Sequence, residues 1–317
     1  MLKTVTVEQV REAAQRIGPH VHRTPVMTSA TLDRELGAEI FFKCENFQKI
    51  GAFKVRGATN AVLSLSDVEA RNGVIAHSSG NHAAALAYAA NIRGVPCTVV
   101  MPKTSAPIKK AAVRGYGARI VESEQSEREQ VAAAEMERTG ATMIEPYDDA
   151  RIIAGQGTVT LELMEDVAAL EMVLAPVGGG GLLAGTAVAA HGMSPDVEVW
   201  GAEPEAVDDA FRSLRDGKRH PGVENPRTQA DGLLTGLGEL NFNILREHGV
   251  RVVTVSEAAI VEACMFHLQR MKMVVEPSAG VGLAALRKLG EAIRGRRVGV
   301  ILSGGNTDLA WLANPTA

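Results

Sequence analysis

From residue 73 onward the chain alternates short apolar runs with helix-patterned stretches, and that beat limits the fold more than any other feature. Val74-Ile75-Ala76, Cys97–Met101, Arg119-Ile120-Val121 and Thr142-Met143-Ile144 read as strands, with helices over 81–93, 106–114 and 126–138 between them. Parallel neighbours need a crossover of a dozen or more residues, usually a helix, so the spacing predicts a parallel α/β unit. A second alternation follows: a helix over 156–168, a strand at 172–177, a helix at 182–190, a strand at 197–202 and a helix near 205–214. After a polar, proline-containing loop (217–230) come a strand at 250–255, helices at 257–270 and 280–293, and a last strand at 297–302. Ahead of all this, Val10, Ala13, Ala14 and Ile17 mark an amphipathic helix over 7–17 that ends at Gly18-Pro19. Thr24-Pro25 opens an extended segment, Ile40-Phe41-Phe42 is a strand, and 55–65 a helix. The expected architecture is two parallel-sheet α/β domains with a cleft between them and a boundary near 147–151.

The sharpest local signal lies in the second half. Met172-Val173-Leu174-Ala175-Pro176-Val177 runs into Gly178-Gly179-Gly180-Gly181 and then Leu182-Leu183-Ala184-Gly185. A strand, a loop without side chains and a helix start gather backbone N–H groups and a positive helix end around one anion. Four glycines in a row lose more backbone entropy than a plain turn requires, so phosphate is the expected occupant. Gly179–Ala184 also fits a loose dinucleotide pattern, with Glu203 about 20 residues further on, where a ribose-binding acid would sit. That reading leaves the next two stretches unused.

The first is Glu45–Gly57, centred on Lys54 between Phe53 and Val55. Apolar neighbours desolvate an amine, lower its pKa and suit it to Schiff-base chemistry. Taken alone, Lys49, Lys54 and Arg56 read more readily as one solvated basic face. The second is Ser303-Gly304-Gly305-Asn306, which ends the strand Val298–Leu302. Side chains at the carboxyl end of a parallel strand face the ligand crevice, and a serine there can hydrogen-bond a pyridine nitrogen without protonating it. A reactive lysine, a phosphate cradle and a ring-nitrogen partner are what pyridoxal phosphate asks of a protein. His77-Ser78-Ser79-Gly80-Asn81-His82 leads into an alanine-rich helix whose start can hold a carboxylate, unless Ser79 or Asn81 merely caps it. Glu203-Pro204-Glu205-Ala206-Val207-Asp208-Asp209 offers hard oxygen ligands for Mg²⁺ or Ca²⁺, or plain helix-start acids.

Composition removes other classes of partner. A formal net charge of −4 gives no field for nucleic acid or an anionic membrane. Cys44, Cys97 and Cys264 are scattered and odd in number, as expected of reduced core cysteines in the cytoplasm. The start Met1–Glu8 lacks the apolar run of a signal peptide, and no stretch reaches membrane-spanning length.

Glu45–Gly57, Ser78–His82, Gly178–Gly181, Ala202-Glu203-Pro204 and Ser303–Asn306 together resemble, in order and spacing, the fold-type II pyridoxal-phosphate enzymes of the serine/threonine dehydratase and serine racemase branch. The resemblance spans about residues 5–310. It implies a tryptophan synthase β-like fold, with a large cofactor-binding domain from 1–66 and 147–317 and a small mobile domain from 67–146. Lys54 would carry the cofactor and act as base, Phe53 pack on its ring, Asn81 bond the ring oxygen, Gly178, Gly179, Gly180 and Gly181 the phosphate, and Ser303 the ring nitrogen. Ser79 matches the second proton donor of the racemases. Ser78, Asn81 and His82 match carboxylate-holding positions, and Arg128 an arginine that reaches the substrate on closure. Glu203, Asp209 and the Val207 carbonyl match a divalent-metal site.

Two departures stand out: Ala52 replaces a common serine, and Ala84 a glutamine that binds nucleotide in mammalian-type racemases, which makes ATP regulation doubtful. The chain stops soon after Asn306, so the regulatory domain of the biosynthetic threonine dehydratases, with its isoleucine feedback, is not expected. The resemblance implies a homodimeric lyase for L-serine, L-threonine or L-threo-3-hydroxyaspartate. The alternatives are an amino-acid racemase using Ser79, a nicotinamide-dependent oxidoreductase and a non-catalytic cofactor carrier.

Overall fold

The computed structural model describes residues 4–312. Its strands are β1 (Val26–Met27), β2 (Glu39–Cys44), β3 (Val74–His77), β4 (Cys97–Pro102), β5 (Arg119–Ser123), β6 (Thr142–Met143), β7 (Met172–Pro176), β8 (Glu198–Pro204), β9 (Arg251–Val255) and β10 (Arg297–Leu302). They form a six-stranded sheet in the order β1-β2-β10-β7-β8-β9 and a four-stranded sheet in the order β5-β4-β3-β6. All pairs are parallel except β1 with β2, so the larger sheet is mixed at one edge. The short connection from Met27 to Glu39, through the helix Ala30–Leu36, turns the chain straight back onto its neighbour.

Register sets where chemistry can happen. Leu302 lies opposite Cys44, Val300 opposite Leu174, and Pro176 opposite Ala202. The residues that follow β2, β10, β7 and β8, namely Glu45 onward, Ser303, the glycine run and the Glu205–Asp209 turn, therefore all emerge at one carboxyl edge. Ligands of open parallel sheets bind outside that edge. In the smaller sheet His77 lies opposite Val100, so Ser78 and Ser79 leave the equivalent edge of β3.

Strand alternation builds a core on each face of the larger sheet. Val173 and Ala175 pack with the helices Ala150–Asp166 and Gly181–Met193, while Met172 and Leu174 pack with Glu257–Phe266 and Pro277–Leu289. The helix Lys54–Leu63 gives Val55, Ala58, Ala61 and Val62 to the core of the smaller sheet, together with Val74, Ala76, Val99 and Met101. Its other face crosses Ala150–Asp166 at a glycine contact: a Cβ on Gly155 would lie 2.6 Å from the Gly57 Cα. A Cβ on Gly185 would likewise meet the Gly157 backbone nitrogen at 2.6 Å.

Those glycines explain one shifted boundary. Gly155 is a poor helix former, and the sequence pattern starts the helix just after it, at 156; the structure starts it at Ala150, behind the Asp149 cap, because close packing outweighs propensity. The structure also forms the helices Ala30–Leu36, Asp67–Ala70 and Glu239–Glu247, which the sequence pattern does not predict. The helix expected near 205–214 begins as a 3-10 turn, Glu205–Val207, and becomes α-helical only over Asp209–Asp216. Helix 257–270 ends at Phe266 and continues as a π-turn over His267–Met271. Arg56 is not on a solvated basic face: it is fully buried, donating to both Glu45 and Glu162. The three cysteines are buried and unpaired, and burial pushes each thiol up to about 12. No helix among the described residues is long and apolar enough to cross a membrane.

Candidate active site

The lysine stretch is stitched onto the Ser303 turn. Ala52 bridges Gly304, the Phe53 N–H donates to the Ser303 carbonyl at 3.0 Å, and the Gly305 N–H donates to the Gly51 carbonyl at 2.9 Å. Lys54 therefore opens its helix directly above the end of β10. Its Nζ donates to the Pro146 carbonyl at 2.7 Å and lies 5.3 Å from the centre of the Phe53 ring. Burial pulls its pKa down to about 8, against the opposing pull of Glu276. Ser303 beside it is buried, and its Oγ has no hydrogen-bond partner. Buried hydroxyls are usually paired, and an orphan at this strand end, beside a desolvated lysine, suits a polar group brought by a ligand.

The glycine run is buried throughout. Gly180 takes φ +94°, which suits glycine alone, and no side chain caps the helix Gly181–Met193 that follows. A helix start left without a cap in the interior calls for an anion. The glycines also serve packing: a Cβ on Gly179 would meet the Tyr147 ring at 2.4 Å, and one on Gly181 the Tyr147 carbonyl at 2.8 Å. Asn241 braces this arrangement, its Nδ2 donating to the carbonyls of Gly179 at 2.7 Å and Tyr147 at 3.2 Å. The donors, the orphan hydroxyl and the desolvated lysine fit pyridoxal phosphate: Gly178–Gly181 for the phosphate, Ser303 for the ring nitrogen, Phe53 beside the ring.

Across the cleft, Asn81 begins the helix Asn81–Arg93, which has no side-chain cap, so neither Ser79 nor Asn81 is spent in capping. Asn81 Nδ2 donates to Glu276 at 3.1 and 3.2 Å, and its Oδ1 accepts from Asn306 Nδ2 at 2.9 Å. Ser78 Oγ accepts from the Gly80 N–H at 3.4 Å, while Ser79 is half-buried. His82 is buried with Nε2 2.9 Å from the Ile144 carbonyl; burial and then the charge of Lys54 lower its pKa to about 3. The ring is thus neutral, and Nδ1 is left unpartnered as an acceptor. Arg128 opens the helix Arg128–Thr139, and its charge is felt at Tyr147. Ala84 lines a cavity of about 750 Å³ with Asn81, Lys109, Tyr116 and Asn306.

Glu203 and Asp209 lie at the same sheet edge. Glu203 accepts the N–H groups of Ala210 at 3.1 Å and Phe211 at 2.9 Å, and Asp209 that of Leu237 at 2.8 Å. Burial, then the charge of Asp209, pushes Glu203 up to about 9. No group of three or more His, Cys, Asp or Glu side chains gathers as a metal site among the described residues. Two carboxylates and a carbonyl are the most this turn presents.

Sequence reasoning missed Glu276, Tyr147 and Asn241. The only signal for Glu276 was its place before Pro277, which reads as an ordinary helix start.

A family model described as pyridoxal-phosphate dependent enzyme matches residues 17–304. The chain is 48% identical to a β-hydroxyaspartate dehydratase of Paracoccus denitrificans, over 96% of this chain and 97% of that protein. It is 44% identical to a serine racemase of Dictyostelium discoideum, over 98% of each. The solved structure of maize serine racemase superposes with a TM-score of 0.94 at 42% identity, covering 98% of this chain and 96% of that one.

Proposed function

The chain belongs to the pyridoxal-phosphate dependent enzymes, and on that premise we propose that it is a dehydratase converting a small β-hydroxy amino acid to a 2-oxo acid and ammonia. One observation carries the reading. A desolvated lysine, an orphaned serine hydroxyl and an uncapped, glycine-lined helix start share one sheet edge, facing a second uncapped helix start across the cleft.

Bound pyridoxal phosphate supplies an electron sink conjugated to the substrate Cα. Lys54 Nζ, with its pKa drawn down to about 8, takes the Cα proton while the β-hydroxyl departs from the neighbouring carbon. Ser303 Oγ would hold the ring nitrogen without a full proton transfer, which would keep the sink weak and favour elimination. Ser78, Ser79 and the backbone N–H groups from Asn81 onward at the start of their helix receive the substrate carboxylate, and His82 secures that corner through Ile144. Arg128 supplies positive charge for a second carboxylate, which favours L-threo-3-hydroxyaspartate over L-serine and L-threonine. Glu203, Asp209 and the Val207 carbonyl would hold a divalent cation, whose charge would favour the ionised form of a Glu203 carboxyl that burial otherwise pushes up to about 9. The segment 67–146 moves as a small domain, and the assembly is a homodimer.

Racemisation is the second reading, favoured by the similarity to serine racemases and by Ser79 at the edge of β3. A product assay with pyridoxal phosphate and Mg²⁺, run separately on the three substrates, separates the two. Oxo acid with little D-isomer is the expected result. D-serine accumulating faster than pyruvate would make racemisation the main reaction.

A further inference from the structure

Glu276 occupies the N-cap of the helix Pro277–Leu289, yet its side chain makes no cap hydrogen bond there. It turns instead into the interior, where it is 3% exposed, and both carboxylate oxygens accept from Asn81 Nδ2. Its own N–H donates to the Gly304 carbonyl at 3.0 Å. Gly304 leaves room for it: a Cβ there would lie 2.9 Å from Oε1. The other end of the Asn81 amide is equally fixed. Asn306 Nδ2, held by the Ile50 carbonyl at 2.7 Å, donates to Asn81 Oδ1. An acceptor-only carboxylate at one end and a donor at the other permit a single amide orientation.

We propose that Glu276 is a positioning residue of this reaction, acting through Asn81 and through its negative charge on Lys54. Locked this way, Asn81 keeps its amine on the Glu276 side, with one N–H remaining for the ring oxygen of the cofactor. The same contact ties the helix start of the smaller sheet to the Ser303–Asn306 turn of the larger. The charged and titratable groups around Glu276 are Lys54, Asp231, Lys109 and Cys264. Burial raises the Glu276 carboxyl to about 7, so ionisation, and with it the amide lock, grows as pH rises through neutrality.

The proposal rests on the dehydratase reading for its kinetics, and the test includes a part that does not. Glu276→Gln keeps an acceptor for Asn81 and removes the charge. In cofactor-free protein, the rate of pyridoxal phosphate uptake against pH reports the Lys54 amine, and the variant should move the midpoint at least half a unit lower. In holoenzyme, the variant should lose at least tenfold in kcat with KM within threefold, and the acid limb near pH 7 should vanish. An unchanged midpoint with kcat within twofold would overturn the proposal. Should the variant fail to fold, a wild-type kcat profile that is flat from pH 6 to 8 would overturn it equally. Absence of oxo acid from wild type would sink the dehydratase reading alone, since the uptake midpoint needs no substrate.

Discussion

Two buried polar regions lie within a few residues of each other and differ in one respect. Around Arg56, the guanidinium donates to both oxygens of Glu45 and of Glu162, Thr24 Oγ1 donates to Glu45 at 2.6 Å, and Lys43 pairs with Glu162 at 2.8 Å. Every charge there has its partner inside the chain. At the carboxyl edge of the same sheet, Ser303 Oγ is unpartnered and the helix after the glycine run is uncapped. A satisfied buried network holds the fold; an unsatisfied one beside a desolvated lysine is waiting for a ligand. Burial alone does not separate structure from function, and neither does a single orphan atom, since Thr59, Ser123 and His267 also carry buried atoms without a partner; the coincidence of an orphan hydroxyl, an uncapped helix start and a desolvated lysine does.

The contrast is broken most severely at Lys54. Lys54→Ala should lower turnover by about 10³-fold or more while leaving thermal stability near wild type, as steady-state kinetics and calorimetry would register. Arg56→Ala should do the reverse. It strands buried Glu45 beside Glu162 and should cost about 3–5 kcal/mol of stability in denaturant titration. A loss of activity without a loss of stability would place Arg56 in the chemistry instead.

His82 gives an intermediate effect with a defined sign. Its folded-state pKa is depressed, so its contribution is present above its ordinary value of 6.5 and is lost as pH falls toward about 3. Over that window the wild-type protein should lose stability faster than His82→Gln by about 1.4 kcal/mol per pH unit. Equal slopes would mean the ring is protonated in the fold. Ser303→Ala should have the smallest effect and a divided one. Removing an orphan hydroxyl should leave the cofactor-free protein as stable as before, yet weaken pyridoxal phosphate binding roughly 5- to 10-fold, about 1 kcal/mol. Loss of cofactor-free stability would show that the hydroxyl already has a partner.

Much of this was legible in the sequence where a local rule had one solution. The strands β3, β4, β7 and β10 follow from apolar runs between glycines and prolines, and the glycine run from its place between strand and helix. The true start of the helix Ala150–Asp166 escapes the pattern because Gly155 is read by propensity, while its contact with Gly57 is tertiary. Antiparallel β1 depends on pairing with a strand that a pattern cannot see. Glu276 and Asn241 escaped for the same reason: each acts on residues far away in sequence, and a carboxylate or amide at a helix carries no local mark of its distant partner. Ser303 and Lys54 were visible because their motifs sit at strand ends.

Chemical trapping tests the central claim most directly. Cofactor-free protein is incubated with pyridoxal phosphate, reduced with borohydride, digested and mapped by mass spectrometry. The account predicts one dominant label, on Lys54, with Lys43, Lys49 and Lys109 essentially unmodified. A label spread over surface lysines, or concentrated on another one, would mean that the edge formed by Lys54, Ser303 and the glycine run is not where this protein does its chemistry.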